Sequence, residues 1–304
     1  MHCILTNEKK LSGKKFDGVV VIGMGGSGLT GDVLQFIGKD IGLTVPVVVS
    51  KDYKLPKIES KKALFIFSSF SGNTRETITA LFEAIKEKKD VAVVTSGGKI
   101  EIIARKNKIP LGVFETHNLT PREGLVYNLH TIIILLSVCF PLSHIEFNIQ
   151  KDKRLQNEGD IIAKKIGGRI PLVYTVPSFA SLGLLWKIFF NETAKIPAFA
   201  NTIPEIAHNE IEGVSAMPKL FAPLFLTSKK ITQQNRKKTL ALAKYFGKKH
   251  MTPIVVSVTG STRKEMFLNM FALALYTTTH IAENKKISPH NTPSIDLFKK
   301  EFEG

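Results

Sequence analysis

Cysteine is nearly missing from this chain of 304 residues, which holds only Cys3 and Cys139. So few thiols exclude a disulfide framework or a thiolate zinc site, and they point to a reducing compartment, the cytoplasm. Long hydrophobic runs are missing as well. The most apolar stretch, LHTIIILLSVCFPL at 129–142, carries a histidine and ends at a proline, short of the roughly 20 residues that span a bilayer. No basic-then-apolar leader precedes the first expected strand, so neither a membrane nor export is expected. Acidic residues are in deficit, 26 against 42 lysines and arginines, giving a net charge of +16. That excess is scattered as Lys-Lys pairs from 9–10 to 299–300, with no arginine-rich or aromatic-interleaved block. Such a pattern suits a solvated surface that attracts small anions, and no nucleic-acid interface is expected. Gly-Lys-Ser/Thr is absent too, which removes a P-loop. No cofactor and no metal are expected.

What is present is an alternation of apolar strands with amphipathic helices, the pattern of parallel sheets covered by helices. Strands are expected near 18–23, 45–49, 63–68, 91–95 and 111–114, closed by a long apolar helix over 122–138. A second block places strands near 171–176, 198–201, 220–226 and 254–258, with helices near 181–195, 234–248 and 262–283 and a short one from 293. The polar segment 148–165 reads as a helical connector. The fold class is therefore α/β, as two doubly wound, flavodoxin-like subdomains, 1–147 and 148–304.

Two strand-to-helix turns stand out. In VVVIGMGGSGLTGDVL, residues 19–34, Gly23, Gly25, Gly26, Gly28 and Gly31 follow a strand directly. Each removes a Cβ, so backbone N–H groups can approach a ligand at a helix N-terminus, which suits a phosphate. Gly23, Gly25 and Gly28 also satisfy the dinucleotide fingerprint, but the acidic residue it needs on the ribose has only Asp52 as a candidate, next to lysine. In FIFSSFSGNTRETI, residues 65–78, Ser68, Ser69, Ser71, Asn73 and Thr74 enter a second helix. That is more hydroxyl than one N-cap requires. Gly25, Gly26 and Ser27 with Ser69, Ser71 and Thr74 are the expected walls of a phosphate site.

GMGGSGLTGD followed by SSFSGNTRET resembles the sugar isomerase (SIS) domain. TPREGLVYNL at 120–129, LLWKIFFNETAKIPAF at 184–199 and HNEIEG at 208–213 narrow the likeness to the bifunctional phosphoglucose/phosphomannose isomerases, over nearly the whole chain. The resemblance implies two SIS subdomains and a homodimer with active sites at the subunit interface. It also implies an aldose-ketose isomerase that converts glucose 6-phosphate and/or mannose 6-phosphate to fructose 6-phosphate through an enediolate. Glu210 matches the base that carries a proton between C1 and C2, and Arg122 the arginine beside the enediolate oxygens. Lys299 matches a lysine acting at the ring and its oxygen, and Thr292 the threonine associated with accepting mannose 6-phosphate. Thr292 and Lys299 lie seven residues apart, about two helical turns, so both can face one pocket. Trp186, Asn191, Glu192 and Lys195 are expected to pack and bridge, and His208 to be structural.

One part of the pattern is missing. The family's ring-opening histidine follows the glutamate motif, but no histidine occurs from 209 to 249, and Gln233 or Gln234 stands roughly in its place. Glutamine exchanges no proton near neutral pH. His290 and Lys299 are the substitutes the sequence offers. An alternative function is thus a sugar-phosphate-binding SIS protein with weak or no isomerase activity. The start is also short, since relatives carry an additional helix where about 17 residues precede Gly18.

Overall fold

Strands too apolar to be half-exposed form the centre of the first unit. The computed structural model describes residues 2–116, 119–143, 146–147 and 152–302, and the chain divides into two units, Met1–Asn148 and Ile149–Gly304. In the first, Cys3–Thr6 (β1), Gly18–Ile22 (β2), Gly25–Ile37 (α1), Val47–Ser50 (β3), Ala63–Ser69 (β4) and Arg75–Lys86 (α2) follow in order. Asp90–Thr95 (β5), Gly98–Lys106 (α3), Leu111–Phe114 (β6) and Leu125–Leu136 (α4) complete it. The sheet order is β1-β6-β5-β4-β2-β3. From β2 to β6 every pairing is parallel. Counted along the chain these five strands run 2-1-3-4-5, the flavodoxin order, and the order reverses between β2 and β4. Ligands of such sheets bind outside the carboxyl ends of the strands at that reversal.

β2 and β4 are buried along their whole length. Val20, Ile22, Phe65, Phe67 and Val93 pack against Ala80, Leu81 and Ala84 of α2, each large side chain contributing about 1.5–3 kcal/mol. The expected chain start needs correction, because β1 precedes β2 and pairs antiparallel with β6, Cys3 opposite Phe114. The long apolar helix also begins later than expected, at Leu125. Residues 121–124 form a turn instead, in which the Thr120 amide and hydroxyl both donate to the Glu123 carboxylate, at 2.9 and 2.6 Å.

The second unit opens with Lys153–Ile166 (α5), where the Asp152 carboxylate accepts from the amides of Arg154 and Leu155 and Gly167 ends the helix at φ +56°. The expected boundary at 147/148 borders residues 148–151, which lie outside the described ones. Ile170–Thr175 (β7), Ala180–Glu192 (α6), Phe199–Thr202 (β8), Glu210–Ser215 (α7) and Phe221–Thr227 (β9) follow. Gln233–Lys248 (α8), Ile254–Ser257 (β10), Arg263–Asn284 (α9) and Pro293–Phe302 (α10) end the chain. Its four strands are all parallel in the order β10-β9-β7-β8, or 2-1-3-4 along the chain. On one face Tyr174, 1% exposed, packs with Phe225 at 5.3 Å and stacks on Phe246 at 6.2 Å between ring centroids. Among the described residues no helix is long and apolar enough to cross a membrane.

Candidate active site

The reversal point of the first sheet is built from glycine. After β2 the chain passes Gly23 and Met24 into α1, whose first residue, Gly25, has φ +52°. A Cβ on Gly23 would stand 2.6 Å from the Ser68 carbonyl oxygen, and one on Gly28 2.5 Å from that of Gly23. Backbone fills both places. Met24 occupies the N-cap and no side chain caps α1, so its N-terminal donors and partial positive charge are left for a ligand. A Cβ on Gly26 would reach the Pro121 carbonyl oxygen at 3.1 Å and the Arg122 Cα at 3.8 Å. The TPREG turn therefore lies against the glycine loop, and Arg122 is 2% exposed there.

The serine turn after β4 joins the same crevice. The Ser27 hydroxyl accepts from the Phe70 amide at 2.9 Å, tying the two loops together. Ser69 Oγ accepts from the Gly72 amide at 3.1 Å and shares a hydrogen bond with Thr74 Oγ1 at 2.9 Å. Thr74 takes the N-cap position of α2, yet its hydroxyl makes no cap bond. Ser71 is exposed, with Oγ accepting from the Asn73 amide at 3.3 Å. Ser68, by contrast, turns into the core and pairs with Asn128 at 2.8 Å. Gly72, at φ +67°, braces the turn, because a Cβ there would lie 1.7 Å from the Gly97 carbonyl oxygen. Two helices without side-chain caps thus begin at the carboxyl ends of adjacent strands, lined by hydroxyls, as an anion site requires.

Sequence reasoning missed Lys51 at the end of β3. Its Nζ donates to Asp32 Oδ2 at 2.6 Å, and its Cε lies 3.0 Å from where a Gly28 Cβ would stand. Burial raises the Asp32 carboxyl above its usual range, against the lowering effect of Lys51. Asp52 beside it is exposed and accepts from the Tyr53 amide at 2.6 Å.

In the second unit Glu210 is the first residue of α7, with the Asn209 side chain accepting from its amide. Glu205 in turn accepts from Asn209 Nδ2 at 2.8 Å. The Glu210 carboxylate is held at both oxygens. Tyr174 Oη donates to Oε1 at 2.7 Å and Asn201 Nδ2 donates to Oε2 at 2.8 Å. Burial first, and then the neighbouring carboxylate, push the Tyr174 phenol far above its ordinary value. Neither Tyr174 nor Asn201 was foreseen; the one sequence signal is a polar handle, the tyrosine hydroxyl, in an otherwise apolar strand run.

Thr292 is half-buried and lines a cavity of 940 Å³ with Lys187, Asn191, Lys195 and Phe199. Lys299 and His290 are exposed, and neither Lys299 nor Glu210 is among the residues lining that cavity. Gln233 and Gln234 are exposed in the first turn of α8, which Thr232 caps through the Asn235 amide at 3.3 Å. Among the described residues no cluster of histidine, cysteine, aspartate and glutamate could hold a metal ion.

Residues 155–302 match the family described as the bacterial phospho-glucose isomerase C-terminal SIS domain. A bifunctional phosphoglucose/phosphomannose isomerase of Thermoplasma volcanium is 29% identical over 97% of this chain and 94% of its own. A D-glucosamine-6-phosphate 4-epimerase of Sulfolobus acidocaldarius is 30% identical over 72% of each chain. Among solved structures, a glucosamine-6-phosphate deaminase of Thermotoga maritima superposes with a TM-score of 0.66 at 16% identity, over 94% of this chain and 90% of that one. At that identity the likeness speaks for the fold.

Proposed function

The chain belongs to the SIS-domain bifunctional phosphoglucose/phosphomannose isomerase family, and from that premise we propose that it interconverts glucose 6-phosphate and mannose 6-phosphate with fructose 6-phosphate. Gly25, Gly26, Ser27, Ser69, Ser71 and Thr74 hold the phosphate through N–H groups and hydroxyls. Glu210 takes the proton from C2 of the open-chain aldose, leaving an enediolate, and returns it to C1. The Arg122 guanidinium stabilises the charge on the enediolate oxygens. Lys299 acts at the ring and its oxygen, with His290 as the other ring-opening candidate, and Thr292 admits the mannose epimer. The single observation that carries this reading is the Glu210 carboxylate of HNEIEG, held by two donors at 2.7 and 2.8 Å.

The protein acts as a homodimer with active sites at the subunit interface, in the cytoplasm, at the hexose-phosphate step of glycolysis and gluconeogenesis. In support of association, α10 exposes Ile295, Leu297, Phe298 and Phe302 and buries none of its residues. A second reading, binding without efficient turnover, is favoured by the lack of histidine from 209 to 249. A coupled assay for fructose 6-phosphate formed from each aldose phosphate, with Glu210→Gln alongside and glucosamine 6-phosphate as a further substrate, separates the two. Turnover of both aldose phosphates that the variant loses supports the isomerase; binding without turnover supports the second reading.

A further inference from the structure

We infer that Tyr174 and Asn201 are positioning residues that clamp the Glu210 carboxylate, one donor to each oxygen. The inference rests on the reading of Glu210 as the proton-transfer base. A glutamate has three rotatable side-chain bonds, whereas a proton-transfer base must be held close to its productive geometry. α7 is only six residues long. The orientation of Glu210 therefore has to come from outside its own helix.

One rung of the sheet supplies it. Tyr174 and Asn201 are direct partners in the parallel pairing of β7 with β8, so their side chains leave the same face of adjacent strands about 4.8 Å apart. The tyrosine end of the rung is immobile, because its ring is 1% exposed and packed on Phe225 and Phe246. The asparagine end is oriented by its own backbone, since Oδ1 accepts from the Thr202 amide at 2.8 Å. With that oxygen occupied, Nδ2 is the group left to face Glu210. Both partners donate, which is the arrangement an ionised carboxylate accepts, and each bond is charge-assisted. The clamp thus joins the aromatic core of the second unit to the reacting carboxylate.

Tyr174→Phe keeps the ring and its packing while removing one donor, and Asn201→Ala removes the other. Each is expected to lower kcat about tenfold to a hundredfold, with KM for glucose 6-phosphate and the melting temperature unchanged. In a Glu210→Gln background, Tyr174→Phe should add no further loss, where a defect of folding would add. An inactive Glu210→Gln beside a Tyr174→Phe and an Asn201→Ala that both keep wild-type kcat overturns the clamp alone. A Glu210→Gln that turns over like wild type overturns the base assignment and the clamp with it.

Discussion

The two units share the 2-1-3-4 strand order, which the first extends with β6 and the antiparallel β1, and they differ at the starts of most of their helices. In the first, α1, α2, α3 and α4 all begin without a side-chain cap. In the second, α5, α7, α8 and α9 are capped by Asp152, Asn209, Thr232 and Thr262, and only α6, after β7, starts without a side-chain cap among the helices Lys153–Asn284. The loops at the two reversal points differ in kind as well. After β2 the chain reads GMGGSG, and after β7 it reads VPSFAS, where Pro177 opens a tight turn ending at the buried Phe179. Topology supplies a crevice in both units, but loop chemistry decides its use. Open amides, hydroxyls and close backbones suit an anion in the first unit, while the second holds a carboxylate ready on a capped helix.

That division can be broken by substitution. Within the first unit the largest expected effect is at Arg122, since removing a charge-stabilising donor costs about 10²–10³ in kcat. Arg122→Gln should show that loss in steady-state kinetics, and unchanged kinetics would leave the first unit a binding role alone. Next comes the hydroxyl pair. Ser69→Ala with Thr74→Ala should raise the dissociation constant for glucose 6-phosphate by about tenfold to a hundredfold by titration calorimetry, because bonds to a charged phosphate are lost. Thr74→Ala alone should leave the melting temperature unchanged, as Thr74 makes no cap bond, whereas Ser69→Ala also gives up the bond from the buried Gly72 amide and should lower it slightly. The smallest effect is the mirror case, Thr232→Ala. It removes a working cap and should cost about 1 kcal/mol of stability in denaturant titration, with KM and kcat unchanged. A Thr232→Ala that altered KM instead would erase the contrast between the units.

Much of this was legible in the letters. VVVI and ALFIFSS are apolar without alternation, which marks strands buried on both faces, and glycine or serine directly after them marks the crevice. β1 was not legible, because four residues with Ile4 52% exposed carry little pattern and their partner, β6, lies about a hundred residues on. The clamp was hidden for a related reason. Tyr174 reads as core, its hydroxyl meets a glutamate 36 residues downstream, and only the β7–β8 register sets Asn201 beside it. Helical spacing allowed Thr292 and Lys299 to face one pocket, but α10 begins at Pro293, just after Thr292. Thr292 lines the cavity of the second unit and Lys299 does not.

The most direct test is to titrate Glu210→Gln with glucose 6-phosphate and follow fructose 6-phosphate formation in the same sample. Retained binding with turnover reduced by about 10²–10⁴-fold is the predicted result, the size of a general-base contribution. Turnover at the wild-type rate, or loss of binding along with turnover, would contradict the separation of phosphate binding in the first unit from proton transfer in the second.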